Sequence, residues 1–443
     1  MPDIKDQGAV KRLIAILMLA ASSFALTGQT GPVGLEECIQ RALECSPEAS
    51  LARTALEKSR ISLKQSVSQL LPSLNVYVNQ YYNWGRSVDM QELVIVKNRL
   101  TRQTSGSVGA SFSIFDGFAQ LNTVRMNRQL EAAAQDRVLS GQLQIKSEVA
   151  RTYLACLLAR LSRSRLQESY RNICLQAERL LAEADAGARK RSDIYQLEAK
   201  KAEALSQIAE AAAEEAVQMD YLQQLTGIPE PFALDTSFVS SLAPVPEETL
   251  ADRAHLMPEV LAARHDEKAA EFALKAARGG LWPSLSLSAA YGTYYSDAAL
   301  APFRDQLDGN RNPSVSLSLV VPLFNAGKTA AAVGNAKAEL EASRARLRQA
   351  ENKARAELVR TRQQCHSLRE QANAAAAAAE MSRQRLMCAT AEYQAGAITT
   401  SQWTDACEDL AKSQCDHAQA ICKYLFQLKL LEFYSDGIEG KKD

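Results

Sequence analysis

The sequence predicts a mainly α-helical fold with a small β part, and three observations carry that expectation. Two stretches, opened by the turns Phe115-Asp116-Gly117 and Phe324-Asn325-Ala326-Gly327, keep a helical pattern to about Ala184 and Tyr393. Each covers roughly 65 to 70 residues, or about 100 Å of helix, too long for an ordinary globular domain. Shorter segments of two-residue alternation sit before them: in 314–321, Val315, Leu317, Leu319 and Val321 fall on one side and Ser314, Ser316 and Ser318 on the other. The plan also occurs twice, since Pro258 repeats Pro47 and Pro283 repeats Pro72 at one interval of 211 residues.

Composition narrows the class. Of 443 residues, 51 are basic and 51 acidic, so no basic footprint points to nucleic acid. Ala, Leu, Gln, Glu, Arg and Lys dominate the middle segments, as in long helices and coiled coils. Residues 1–25 run from Lys11-Arg12 through the apolar stretch Leu13 to Ala21 to small residues around Ser23-Phe24-Ala25, the layout of a secretory signal peptide. After it no run of 18 apolar residues occurs, so contact with a membrane core would fall to strands.

The chain in order begins with a helical pattern from Leu35, interrupted at Ser46-Pro47-Glu48 and resumed to about Leu70. Ser46 is placed to cap and Pro47 to open the second piece. Two strands follow in the region 73–115, with Leu74, Val76, Val78 and Tyr82 on one face of the first and Val108, Ala110, Phe112 and Ile114 marking the second. The second copy repeats this in 284–321, where Leu285, Leu287, Ala289 and Tyr291 alternate with Ser286, Ser288 and Gly292. Four strands of about nine residues each reach the length that crosses a bilayer when tilted. Four cannot close a barrel, and open edges are not viable in lipid, so closure requires oligomerisation. The serine-rich faces are expected to line water and the aliphatic faces to meet lipid. Tyr81, Tyr82, Trp84, Trp282, Tyr291, Tyr294 and Tyr295 are read as an interfacial girdle, and Asn83 to Ser105 and Ser296 to Asn312 as outer loops.

Within the first long helix, Leu143, Ala150, Leu154, Leu157 and Leu161 form one stripe and Ile145, Val149, Thr152 and Cys156 a second beside it. Two seams imply neighbours on both sides, as in a cylinder of helices, whereas a solid stalk needs one. The alanine runs 211–213 and 374–379 either permit close approach or simply favour helix. Each long helix reverses at a glycine turn, Gly187 to Ile194 and Gly396 to Trp403, with Ser192 or Thr400 placed to cap the return helix. The resulting domain plan is a signal at 1–25, a first repeat at 34–228, a Pro-containing connector at 229–248, a second repeat at 249–436 and a tail at 437–443.

Taken together, the Leu35 to Leu43 start with Ser46-Pro47, the two Pro-Ser-Leu segments (72–74 and 283–285), the turn Val321-Pro322-Leu323-Phe324-Asn325-Ala326-Gly327 and the two tip turns resemble the TolC family of outer-membrane efflux and secretion channels. The resemblance implies a homotrimer in the outer membrane of a Gram-negative bacterium, with a twelve-stranded barrel continued into the periplasm by an α-barrel of helical hairpins. It further implies passive conduction, with a periplasmic adaptor and an inner-membrane pump as partners. By position, Gly187, Arg189, Lys190, Arg191, Ser192, Asp193, Gly396, Thr400 and Ser401 become adaptor-contacting tip residues, and Gln402 and Asp405 the entrance aperture. The basic cluster 189–191 is either such a contact or a solvated turn, and Asp405 either an aperture carboxylate or a surface charge. Gln402 stands where an acid would be expected.

Enzymatic chemistry finds no support in the residues. The histidines, His255, His265, His366 and His417, lie in helical patterns without a nucleophile or paired carboxylates, and no phosphate-binding glycine loop occurs. No cofactor is expected. The nine cysteines match no structural zinc spacing and read as small apolar fillers, for instance along Ala411, Cys415, Ala418, Cys422 and Leu425. Two other readings use the same elements, a trimeric coiled-coil scaffold anchored by a non-conducting barrel and a periplasmic adaptor. Four bilayer-length strands speak against the adaptor.

Overall fold

A computed structural model describes residues 32–88, 95–185, 191–228, 232–235, 250–299 and 301–439. The element order is α1 (Leu35–Cys45), α2 (Pro47–Ser68), β1 (Ser73–Val88), β2 (Ile95–Phe115), α3 (Ala119–Asp185) and α4 (Arg191–Thr226). A 3-10 turn at Leu250–Leu256 leads to α5 (Pro258–Gly279), β3 (Ser284–Ser296), α6 (Phe303–Gly309), β4 (Asn312–Val320), α7 (Lys328–Gln394) and α8 (Thr400–Glu439). The helices α2 and α5 each have 22 residues, and α3 and α7 each have 67. The expected signal peptide, Gly187, Arg189, Lys190 and most of the connector lie outside the described residues.

Local chemistry accounts for several boundaries. Ser46 accepts a hydrogen bond from the Glu48 N–H at 3.2 Å, and Pro47 opens α2. Pro258 opens α5 after Met257, which supplies no side-chain cap. At the C-terminus of α7, Gly396 has φ +76°, Ala397 N–H reaches Glu392 O at 2.9 Å and Gly396 N–H reaches Tyr393 O at 3.0 Å. That is a Schellman ending, which needs a residue at ease in left-handed backbone.

The chain forms two compact units, each drawing on both halves of the sequence. The first comprises residues up to Cys45, Glu148–Pro244 and Leu368–Phe426. Its core includes Ile173, Leu180, Leu197, Tyr393, Trp403 and Cys407. Both stripes of α3 contribute, with Val149, Ala150, Leu154, Cys156 and Leu157 all buried. Glu215 of α4 receives Arg160 Nε at 2.9 Å and Arg163 Nη1 at 3.0 Å from α3, two cations that compensate a nearly buried carboxylate. Tyr153 Oη lies 3.0 Å from the carbonyls of both Val33 and Asp235, beside the parallel bridge Val33–Leu234.

The second unit comprises Ser46–Ser147, Val245–Ser367 and the residues from Gln427 on. It carries one antiparallel sheet in the order β1-β2-β3-β4. At its base Gly117, with φ +68°, and Gly279 lie in close contact: a Cβ on Gly117 would come within 2.3 Å of Gly279 O, and one on Gly279 within 2.9 Å of Ala119 Cβ. Ala270 and Leu274 of α5 pack with Leu340 of α7.

Two expectations are corrected. The strands have 16, 21, 13 and 9 residues, so only β4 has the expected length. The presumed loop from Asn83 to Ser105 is largely β-hairpin, with pairing up to Val88–Ile95. In this ribbon Arg102 and Thr104 stand on the face that is aliphatic elsewhere in the sheet, and the register shifts between Gly85 and Ser87, so hydrophobic alternation does not announce it. The presumed loop Ser296 to Asn312 contains α6, whose buried Gln306 accepts from Ser296 N–H at 2.9 Å and donates to Ser296 O at 3.0 Å.

Candidate functional site: the two strand faces and the helical turns

Register fixes the two faces of the sheet. Val76 pairs with Val108, Val108 with Tyr291 and Tyr291 with Pro313, and in adjacent rows Leu74, Ala110, Ala289 and Val315 fall together, as do Phe112, Leu287 and Leu317. This aliphatic face is bare of protein: Leu74 is 72% and Val315 77% exposed. On the opposite face Ser73, Ser111, Ser288 and Ser316 share one row, and Tyr77, Ser107, Gly292 and Asn312 another. Ser73 Oγ and Ser111 Oγ lie 2.8 Å apart, a cross-strand hydroxyl pair.

The same register divides the expected aromatic girdle. Tyr82, Trp84, Tyr291 and Tyr295 lie on the aliphatic face, and Tyr82 and Trp84 stack with ring centroids 6.3 Å apart. Tyr81 and Tyr294 fall on the polar face, an odd-even shift that places them with Asn79 and Ser296. Proximity in sequence to the other tyrosines hid this, because neighbouring strand residues point to opposite sides.

The second glycine turn is held by a network of its own. Thr399, not Thr400, caps α8: Gln402 N–H donates to Thr399 Oγ1 at 3.3 Å, and Gln402 Oε1 accepts from Thr399 N–H at 2.9 Å. This reciprocal pair is a capping box, and the spacing Thr-x-x-Gln was the sequence signal for it. Thr400 is buried, 3.2 Å from Tyr393 Oη. Trp403 is buried against the Tyr393 ring and donates Nε1–H to Thr390 Oγ1 at 3.2 Å. Gln402, Asp405 and Asp409 are exposed, spaced i, i+3 and i+7 along α8. Ser401 is half-buried, and Gly396 is exposed.

From the first turn the structure describes Arg191, Ser192 and Asp193. Arg191 and Ser192 are exposed in the first turn of α4, and the Ser192 hydroxyl reaches Asp193 Oδ1 at 3.3 Å. Ser192 therefore lies inside the helix it was expected to cap. Nearby in this unit, Lys200 Nζ bridges Glu203 at 3.0 Å and Glu408 at 2.6 Å, pairings that raise its pKa. Arg385 pairs with Asp409. Lys200, Glu203, Glu408 and Lys412 edge a groove of about 470 Å³.

The cysteines divide by burial. Cys38, Cys156, Cys365, Cys407 and Cys422 are buried, as fillers should be, whereas Cys45 and Cys388 are exposed. Burial pushes the Cys38 and Cys407 thiols up to about 12. Among the described residues no group of His, Cys, Asp and Glu is arranged to hold a metal ion, and no helix is long and apolar enough to cross a membrane.

A four-stranded sheet with one bare aliphatic face, joined to 67-residue helices, defines a class of membrane-inserted protein built from paired helical hairpins and a partial β-barrel. The comparisons agree. The sequence model of the outer membrane efflux protein family matches residues 251–431. The outer membrane efflux protein BepC of Brucella suis is 24% identical over 263 residues, covering 57% of this chain and 55% of BepC. The chain thus matches little more than half the length of that curated relative. Among solved structures, CusC superposes with a TM-score of 0.80 at 20% identity, covering 92% of this chain and 94% of its own. The outer membrane protein VceC of Vibrio cholerae gives 0.76 at 18% identity, covering 90% and 95%. Residues 251–431 are thus similar to the outer membrane efflux protein family, and over about nine-tenths of its length the chain shares the fold of CusC and VceC.

Proposed function

We propose that three copies of this chain form an outer-membrane channel that passes substrates passively from a periplasm-spanning tripartite pump to the outside. The observation that carries this reading is the sheet. It has one exposed aliphatic face, one polar face and two open edges, on β1 and β4. Open edges cost several kcal/mol per unpaired group in hydrocarbon, so a membrane location requires neighbours on both sides. Three sets of four strands give twelve, an even number within the bacterial range of 8 and upward.

In this reading residues 1–25 are the export signal, 34–228 and 249–436 are the two repeats, 229–248 connects them and 437–443 is a tail. Gly187, Arg189, Lys190, Arg191, Ser192, Asp193, Gly396, Thr400 and Ser401 belong to periplasmic tips that contact an adaptor, the inner-membrane pump supplies the energy, and the chain does no catalysis. Gln402 and Asp405 edge the entrance. The capping box supports a structural part for Gln402, since its amide oxygen is engaged by Thr399, and leaves the exposed Asp405 as the charged member.

The test is reconstitution of detergent-purified protein in planar bilayers, with mass measured by light scattering. Three chains per particle and discrete ionic conductance are expected. A trimer with no current would instead be a solid stalk, and a water-soluble monomer would refute both.

A further inference from the structure

Over seven successive rows the polar face of the sheet carries no ionic charge, the nearest charged position on that face being Arg99, paired with Gly85 two rows further out. From the row of Ser284 and Val320 to that of Tyr81, Gln103 and Ser296, the register places only Ser, Asn, Gln, Tyr, Gly, Ala and Val on it. Asp, Glu, Lys, Arg and His are absent from these described rows, while Ser284, Ser286, Ser288, Ser314, Ser316 and Ser318 line two of the strands. At its foot a groove of about 570 Å³ is lined by residues such as Gln65, Gln69, Ser113 and Gln120, again with no ionisable group. The groove of the first unit, edged by Lys200, Glu203, Glu408 and Lys412, is the opposite case.

The geometry points to a charge-neutral membrane passage, which contacts solutes through hydroxyl and amide groups and does not sort them by charge. This inference rests on the channel reading, in which the polar face lines the lumen. A ring of like charges focuses counter-ions and sets selectivity in a pore. A wall of hydroxyls donates hydrogen bonds to anions and turns oxygen lone pairs to cations, so any ion preference of the whole channel originates outside these rows, in the charged helical part or near Arg99. The cargo class this passage accommodates is one of hydrogen-bonding solutes of either sign or none.

Ser288 is exposed on this face, in a row with Ser111 and Ser316. With threefold assembly, Ser288→Asp and Ser288→Lys each add a ring of three charges. The cation-to-anion permeability ratio is measured in planar bilayers from the reversal potential in a potassium chloride gradient. Shifts of about twofold or more in opposite directions from the unsubstituted protein are expected, because an uncharged wall has nothing to mask either sign. Ser107→Asp and Ser107→Lys, on the same face, repeat the test should the first pair fail to fold. Unchanged ratios in conducting variants, or a shift for one sign alone, would overturn the inference. Loss of all conductance in the unsubstituted protein would strike the channel reading instead.

Discussion

Gly117 and Gly327 occupy similar turns before the two long helices, and both have left-handed φ, +68° and +78°. Their surroundings differ. Around Gly327 a Cβ would meet nothing within 4 Å, whereas on Gly117 it would meet the Gly279 carbonyl and Trp282 Cβ. Gly327→Ala is therefore expected to cost about 1 kcal/mol in backbone strain alone. Gly117→Ala should cost more than about 2 kcal/mol through overpacking added to strain. Thermal loss of helical circular dichroism in detergent measures both, and equal effects would contradict the close contact. The thiols give a pH prediction. Cys38 and Cys407, raised to about 12 by burial, stay protonated in the fold when an unfolded thiol, near 9, has ionised. Their contribution to stability is present below the unfolded value and is lost as pH rises from it toward about 12. At pH 8, alkylation should be fast at Cys45 and Cys388 and slow at Cys38, Cys156, Cys365, Cys407 and Cys422, as read by peptide mass spectrometry.

Among the elements, β4 shows how two adjacent residues answer to different solvents. Leu317 lies on the bare aliphatic face and Ser316 on the polar one. Leu317→Arg is expected to cost about 2–4 kcal/mol at mid-bilayer, against little for Ser316→Arg. The fraction of folded, gel-shifted trimer recovered from membranes reports the difference. The strands were legible in sequence where one face is greasy, because alternation records a difference between two environments. They were not legible around Arg102 and Thr104, polar residues on the face that is aliphatic elsewhere, or at the register shift beside Gly85. The long helices were plain, since 67 residues without a proline leave few alternatives. The turn after α7 was legible in position but not in roles: spacing showed that a cap was needed, while the contact between Thr400 and Tyr393 depends on tertiary packing.

If the proposed function holds, conduction and coupling to a pump are separable properties of the whole molecule. Arg191 is exposed at the start of α4, remote in sequence from the strands. Arg191→Glu reverses a charge where an adaptor would dock, and rim charges act mainly on association. Export by cells carrying the variant should fall several-fold while bilayer conductance stays unchanged. Parallel loss of both would show that the residue supports the conduit rather than the docking.

Above the end of β4, the backbone of β3 would be bare on one side, yet Gln306 serves Ser296 and Asn310 Nδ2 donates to Tyr294 O at 2.7 Å. Two amide side chains thus occupy the places of an absent strand. On the proposed trimeric reading, a subunit not yet assembled carries unpaired rims on β1 and β4, the ones its sisters would recruit. By blunting the upper rim of β3 itself, the chain removes one template for mispairing and aggregation during transit, before any barrel has closed.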